Sequence, residues 1–415
     1  MKKSFMYYPE ITDKDFYEKI YLKKEFRENE VLVVEPKKKD KSGSSNFELE
    51  PHQNFLKNYI SPDTPYNGVL IYHGTGVGKT CTAISIAEGF KKLGHELIQI
   101  GPFDNKRKLY HRIWNGILVF IFNKLLRNKF GSIHNLWSKE FLQNYANQAE
   151  QQLKGLKVDL IFSPESHTIA YLNTQIPIVF WRDSTFENLL DYYPEFSNIH
   201  PISVRQGHEA EKNALNRAAL AVYTSEWAAK SAIEFYRADP NKMALVGRGA
   251  NLFEEPKNVE ELIVKRSTLE TLKILFIGAN WNRKGGDKVF ETVGLLYEKG
   301  FKVEMHAIGE KPEMTNSPKW LFHHGYLKKS EKAEYEQIKK LYADSHFFMM
   351  PSLAENFGIV YAEASAYGLP CIASKTGGVS AAVKHLANGL LFEPSSPPKE
   401  IADTIGRIWS NKSSY

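Results

Sequence analysis

The sequence predicts an α/β fold of two Rossmann-like domains facing a cleft, preceded by an extra N-terminal arm. Two observations carry that expectation. From about Tyr66, short apolar runs alternate with helical stretches, the pattern of a parallel sheet. The same alternation restarts beyond a charged linker, Glu254–Arg266. Residues 1–50 mix charges, carry Lys37–Lys39 and a Gly-Ser patch near Ser42–Ser45, and read as a flexible or loosely packed arm. Residues 51–252 make the first domain, with strand candidates at Gly68–Tyr72, Glu96–Ile100, Leu160–Phe162, Ile178–Trp181 and Leu220–Tyr223. Residues 253–415 make the second. Its candidates are Lys273–Ile277, Lys302–Ile308, Trp320–His323, His346–Met350 and Cys371–Ser374, with a last helix at Lys399–Trp409. No internal repeat is visible.

At 415 residues, 42% hydrophobic and 25% charged, the composition is that of a soluble globular chain with room for two or three cores. Aromatic residues, at 13%, are plentiful, as in clefts that stack on sugars or bases. A net charge of +6 is too modest at this length to argue for nucleic acid, which is not expected as a partner. Its distribution is uneven, because 104–130 carries seven Lys or Arg against one acid, as much net charge as the whole chain. Those cations are interleaved with Trp114, Ile117, Leu118, Phe122 and Leu125. Such a stretch suits an interfacial helix in peripheral contact with a membrane, and equally a domain helix with a solvated basic face. Cys81 and Cys371 lie far apart without metal-ligand spacing, which excludes a disulfide framework and suits a reducing cytoplasm. The opening MKKSFMYYPEITDKDF is too polar for a signal peptide. The longest apolar run, Ile117–Phe122, is far short of the roughly 20 residues of a membrane span.

The densest cluster of signals is Pro351-Ser-Leu-Ala-Glu355-Asn-Phe-Gly-Ile-Val-Tyr-Ala-Glu363-Ala-Ser-Ala-Tyr-Gly368-Leu-Pro370. Its two glutamates flank Phe357-Gly358, where a helix is expected to begin, aiming free N–H groups and its positive dipole end beyond the preceding strand. Glu363, expected about two turns in, can accept both hydroxyls of a ribose. Glu355, just before the helix, can reach a sugar ring. Upstream, Phe276-Ile-Gly-Ala-Asn-Trp-Asn-Arg283-Lys284-Gly285-Gly286 reads as a strand, a loop and a Gly-rich helix start. It puts two cations where a diphosphate leaving group would sit, and fixed cations there stabilise the charge that develops on departure.

In these residues the chain closely resembles glycosyltransferase family 4, through Glu-x-Phe-Gly-x-x-x-x-Glu-Ala followed by Gly-Leu-Pro-Cys-Ile-Ala-Ser and Thr376-Gly377-Gly378. The resemblance implies a GT-B fold and a hexosyltransferase-like reaction that retains the anomeric configuration. The donor is expected to be a UDP-, GDP- or ADP-sugar, the acceptor a glycan, lipid or small molecule, and neither cofactor nor metal is expected. Glu355 takes the family's sugar-contacting, catalytic place and Glu363 its ribose-contacting place. Arg283, Lys284 and Gly285 fall at the diphosphate, Phe357 and Gly358 at the helix start, and Tyr326 and Leu327 at the base. Two departures stand out. Ala279 occupies a position where the family commonly has Arg, with Arg283 as the substitute. The sequence also ends at Tyr415, soon after its last helix, where members usually carry a helix that crosses back onto the first domain.

Residues from about Leu93 to Asn251 resemble the same family in pieces such as Phe180-Trp-Arg-Asp183-Ser-Thr185-Phe and Gly247-Arg-Gly-Ala-Asn251. Asp183 ends a strand and reads either as an acceptor ligand or proton acceptor, or as a capping or buried structural residue. What precedes is different. Leu49-Glu-Pro-His-Gln53-Asn-Phe and the run from Pro65 to Ile84 resemble the opening of a superfamily 2 helicase of large DNA viruses. In its P-loop, the backbone at Gly76 and Gly78 would line a phosphate cradle, Lys79 would reach a phosphate and Thr80 would hold Mg²⁺. No helicase acid motif follows, so ATP hydrolysis is not expected, only unproductive binding of ATP or phosphate. The helicase-like unit, 66–92, thus takes the place of the first β–α unit of the sugar-transfer domain. Three readings stay open: a glycosyltransferase, a P-loop nucleotide-binding helicase fragment, and an inactive chimera.

Overall fold

The computed structural model describes residues 68–72, 89–90, 94–101, 103, 117, 120, 131–310 and 316–411. The arm, the P-loop residues Gly76, Gly78, Lys79 and Thr80, and all of the basic stretch except Ile117 and Phe120 lie outside them. Those two are helical and exposed. Among the described residues no helix is long and apolar enough to cross a membrane. The chain divides into two compact units between Val246 and Gly247, against the expected 252/253.

The first unit holds a parallel sheet of β1 (Gly68–Tyr72), β2 (Glu96–Ile100), β3 (Leu160–Ser163), β4 (Ile178–Arg182), β5 (Leu220–Tyr223) and β6 (Met243–Leu245). Their order is β2-β1-β3-β4-β5-β6, with a switch between β1 and β3. The helicase-like strand β1 is therefore an inner strand, pairing Gly68 with Glu96 on one side and Val69 with Leu160 on the other. Helices described along their length in this unit are α1 (Lys139–Leu153), α2 (Phe186–Leu189), α3 (Pro201–Arg217) and α4 (Glu226–Glu234). Three begin on hydroxyl caps: Ser138 accepts from the Phe141 amide, Ser225 from the Ala228 amide, and Thr185 forms a capping box with Asn188. Phe141, Tyr145, Ile161, Phe180, Phe186 and Tyr223 lie in the core between these helices and the sheet.

The second unit repeats the plan with β7 (Leu272–Gly278), β8 (Val303–Gly309), β9 (Leu321–His323), β10 (Phe347–Met350), β11 (Cys371–Ser374) and β12 (Gly389–Phe392). The order β12-β11-β10-β7-β8-β9 puts β7 beside β10, so the chain reverses direction of travel between them. Helices are α5 (Val259–Ser267), α6 (Gly286–Glu298), α7 (Lys332–Asp344), α8 (Ile359–Ala366), α9 (Val379–Ala382) and α10 (Pro398–Ser410). Inner strand β10 reads as an unbroken apolar run because both its faces are covered, whereas β7 and β8 are interrupted by Lys273, Glu304 and His306. All four residues of β10, Phe347 to Met350, are buried, each contributing on the order of 1.5–3 kcal/mol. Strands β6 and β12 escaped the sequence reading, being respectively three residues long and only half-buried.

One expectation is corrected. The segment Glu254–Arg266 is a linker only at its start, because Val259–Ser267 is the helix α5. Its charges misled: Glu260 and Glu261 sit in the first turn and Lys265 and Arg266 in the last, the arrangement that suits the helix dipole. Arg266 is fully buried. Its guanidinium donates to the carbonyls of Tyr342 (3.4 Å), Tyr367 (3.1 Å) and Gly368 (2.7 Å), satisfying the ends of α7 and α8 at once. Arg266→Leu strands those buried acceptors at about 1–3 kcal/mol each, and should lower the unfolding free energy by about 3 kcal/mol or more. Urea denaturation checks this, and a loss below about 1 kcal/mol would mean the carbonyls find other partners.

Candidate active site

Open α/β sheets bind ligands beyond the carboxyl ends of their strands, where the strand order reverses. In the second unit that place is defined by the loops after β7 and β10. The β7 loop, 279–285, is anchored by Trp281, whose ring packs on Phe276 at 5.1 Å between centroids. Its Nε1 donates to Asp287 (2.6 Å), and its amide donates to Glu310 Oε2 (2.5 Å). The loop ends at Gly285, the N-cap of α6, at φ +78°. A Cβ there would stand 2.2 Å from the carbonyl oxygen of Pro351, so the residue must be glycine for the two loops to touch.

That contact brings the predicted residues together. The Leu353 amide donates to the Arg283 carbonyl (2.8 Å), and Arg283 Nη1 donates back to the Ala354 carbonyl (2.9 Å). Lys284 then reaches across 71 positions of sequence to form an ion pair with Glu355, both side chains being largely buried. Glu355 is also tied to the loop after β11, since the Gly378 amide donates to its carbonyl (3.3 Å). Ala279, standing where an arginine was expected, is exposed, and its carbonyl accepts from the Tyr326 hydroxyl (3.2 Å). Tyr326 is otherwise exposed, whereas Leu327 packs on the core.

The helix start differs from expectation in detail. Gly358 is the N-cap of α8 in the left-handed region at φ +81°, and Phe357 before it is buried. The helix begins at Ile359, so Glu363 lies a little over one turn in and not two. The physical reason is the left-handed turn at Gly358, which keeps the preceding residues out of the helix. Glu363 is 3% exposed and already accepts two hydrogen bonds. The Tyr342 hydroxyl donates to Oε2 (3.0 Å) and Lys329 Nζ to Oε1 (2.5 Å). Burial first, and then the charge of Glu363, pushes the Tyr342 hydroxyl well above its ordinary pKa, so it stays a donor. Lys329 was not singled out from sequence; a Lys-Lys pair after Gly325-Tyr326-Leu327 carries no spacing signal, and only the fold sets it against Glu363.

Asp183 belongs to the first unit, where it follows β4 and precedes the Thr185 cap. It adjoins a buried polar cluster at the carboxyl ends of β3, β4 and β5. Arg182 donates to Ser166 Oγ (2.7 Å) and Ser166 to Glu211 Oε2 (2.8 Å), with Glu165 at 3.4 Å from Arg182 Nε. Burial raises the Glu211 pKa against the pull of Arg182. Burial also opposes the Arg182 charge, yet Glu165 and Glu211 outweigh it and hold the guanidinium above its usual value. Among the described residues no group of three or more His, Cys, Asp or Glu is arranged to hold a metal ion.

With this geometry in view, residues 271–411 match the family model for Glycosyl transferases group 1. That match falls within the C-terminal unit and spans most of it. The N-terminal part is similar to "Putative ATP-dependent RNA helicase L377" of Acanthamoeba polyphaga mimivirus, at 44% identity over 94 residues, 21% of this chain. The chain spans only 8% of that helicase's length. Among solved structures it is similar to sucrose-phosphate synthase from Thermosynechococcus elongatus, with TM-score 0.56 and 15% identity over 84% of this chain and 91% of the other. It is also similar to Alr3699/HepE of Anabaena, solved in complex with UDP-glucose, with TM-score 0.51, 15% identity and coverage of 84% and 91%. Those likenesses show the fold, that of the GT-B glycosyltransferases. Within the matched residues, Arg283, Lys284 and Glu355 stand on loops, and Glu363 in the second turn of α8, at one end of one sheet.

The close approach at Gly285 has a measurable consequence. Gly285→Ala adds left-handed strain and a backbone clash, and should cost about 3 kcal/mol of stability. Gly300→Ala is the control, since Gly300 shares the left-handed backbone (φ +84°) with nothing within 4 Å of its would-be Cβ. If the two variants melt alike, the Pro351 contact is not the constraint.

Proposed function

We propose that the protein is a retaining glycosyltransferase, moving a sugar from a nucleotide diphosphate donor to a hydroxyl acceptor. The observation that carries this reading is the Lys284–Glu355 ion pair at the switch between β7 and β10, in a group 1 domain. In the reaction the bond between the sugar's anomeric carbon and the diphosphate oxygen breaks, and a bond to the acceptor oxygen forms on the same face. The acceptor's hydroxyl proton is lost to a phosphate oxygen or solvent. Charge builds on the departing diphosphate, where Lys284 and the N-terminus of α6 meet it. Glu355, held against Lys284, is then within reach of the sugar, and Arg283 keeps the Glu355 loop in place through the Ala354 carbonyl. Glu363 holds the ribose. Asp183 is the candidate acceptor-side group.

A uridine nucleotide is the first donor to try, because Alr3699/HepE, which shares the fold, was solved with UDP-glucose. The acceptor is a glycan, a lipid or a small molecule. We infer a reducing, cytoplasmic setting from the free, buried thiol of Cys371, whose pKa burial pushes up to about 12. A peripheral membrane contact through the basic stretch belongs to the same proposal.

Glu355→Gln breaks a charge-assisted bond worth about 1.5–3 kcal/mol, so turnover should fall by about 10- to 100-fold with little change in folding. Glu363→Ala should instead raise the donor KM, because ribose is held in ground and transition states alike. Released nucleotide from UDP-, GDP- and ADP-sugars, with and without acceptors, provides the assay. Turnover within twofold of the parent in Glu355→Gln would remove that residue from the chemistry.

The helicase-like unit supports a narrower proposal, that its loop serves the sugar-transfer site and not an ATPase. ATP hydrolysis should be absent at any Mg²⁺ concentration, and Lys79→Ala should slow transfer about tenfold if Lys79 meets a phosphate. Transfer unchanged by that substitution marks the loop as inherited and unused. DNA-stimulated, Lys79-dependent ATP turnover would establish the helicase-like alternative instead.

A further inference from the structure

We propose that Lys329 is a nucleoside-binding residue which, with Glu363, reads the cis-diol of the donor's ribose. The inference rests on the nucleotide-donor reading above and extends it to a residue outside the resemblance. Lys329 lies in the loop between β9 and α7, three positions after Tyr326. Its ammonium donates to Glu363 Oε1 (2.5 Å) and to the backbone carbonyl of Asn251 (2.8 Å). One acceptor is fixed on a buried helix and the other on the main chain. An ammonium carries three N–H bonds at tetrahedral angles, so fixing two directions fixes the third.

Access decides what the third bond is for. Beneath Glu363 lies Tyr342, which is fully buried; Lys329, whose side chain is 26% exposed, covers the other oxygen. A ribose that reaches Glu363 therefore meets Lys329 first. Displacing the lysine would leave a carboxylate at 3% exposure without its counter-ion, which costs several kcal/mol. Sharing the site avoids that penalty. Each ribose hydroxyl is both donor and acceptor: its hydrogen goes to the carboxylate, and its oxygen accepts the third N–H of Lys329. The lysine is already held in place, so little conformational entropy remains to be lost on binding.

Lys329→Gln is the informative variant. A glutamine amide has two N–H bonds, enough for Glu363 and the Asn251 carbonyl, and none left for ligand. Calorimetry with UDP, 2′-deoxy-UDP and 3′-deoxy-UDP measures the preference for the full diol. In Lys329→Gln that preference should fall about tenfold against at least one deoxy analogue, the size of one charge-assisted hydrogen bond, while binding of that analogue changes less than about threefold. Lys329→Arg should keep the preference, and melting temperatures establish that both variants fold. If Lys329→Gln does not fold, the pair is structural and the inference fails. An unaltered preference in a folded Lys329→Gln overturns the role of Lys329 and leaves the donor reading standing. Failure of the parent protein to bind UDP, GDP or ADP overturns both.

Discussion

The main chain at Gly285 lies against the main chain at Pro351, and the arrangement of Arg283, Lys284 and Glu355 depends on that contact. Backbone-to-backbone approach needs a residue without Cβ and with a left-handed φ, and glycine supplies both. Once the two loops touch, the reciprocal bonds between Arg283 and the 353–354 backbone follow, and Lys284 is delivered to Glu355. Neighbouring strands β7 and β10 provide the frame, because their pairing sets the height of both loops above the sheet. The cluster is thus held by rigid elements and by main-chain bonds, with the charged groups added at the end.

Those charged groups come in pairs. Lys284 faces Glu355, and Lys329 faces Glu363, each pair linking residues far apart in sequence. A buried carboxylate without a counter-ion is costly, and each of these two glutamates has a lysine of the same unit against it. The charges and dipoles at this end of the sheet are thus already oriented, the condition under which electrostatic stabilisation costs no reorganisation. The first unit follows the same rule, with Arg182 between Glu165 and Glu211.

The first unit also shows how a helicase-like strand fits a sheet of the GT-B kind. Strand β1 pairs on both edges in register, with five partners along β2 and three along β3. A ladder of backbone hydrogen bonds is indifferent to most side chains, and asks only for length, alternation and direction. A strand followed by a helix in a parallel sheet satisfies these whatever its origin.

Local physics explains what was legible without the fold. Continuous apolar runs such as Phe347–Met350 announce buried parallel strands, and glycines at 285 and 358 announce turns before helices. The pair Glu355 and Glu363 stood out because both lie within nine residues of one chain segment, around one helix start. Where charge was read as a linker, as over 254–266, the sequence misled, because whether a charged segment is helical and buried depends on what packs above it and not on residue type. Lys329 and Tyr342 carry no local signal at all. Their partner, Glu363, is 34 and 21 residues away, and only the docking of α7 and the β9–α7 loop against α8 brings them to it. Sequence determined the elements because backbone preference and apolar periodicity act over a few residues. The tertiary structure alone decided which charges meet, because an ion pair is set by distance in space.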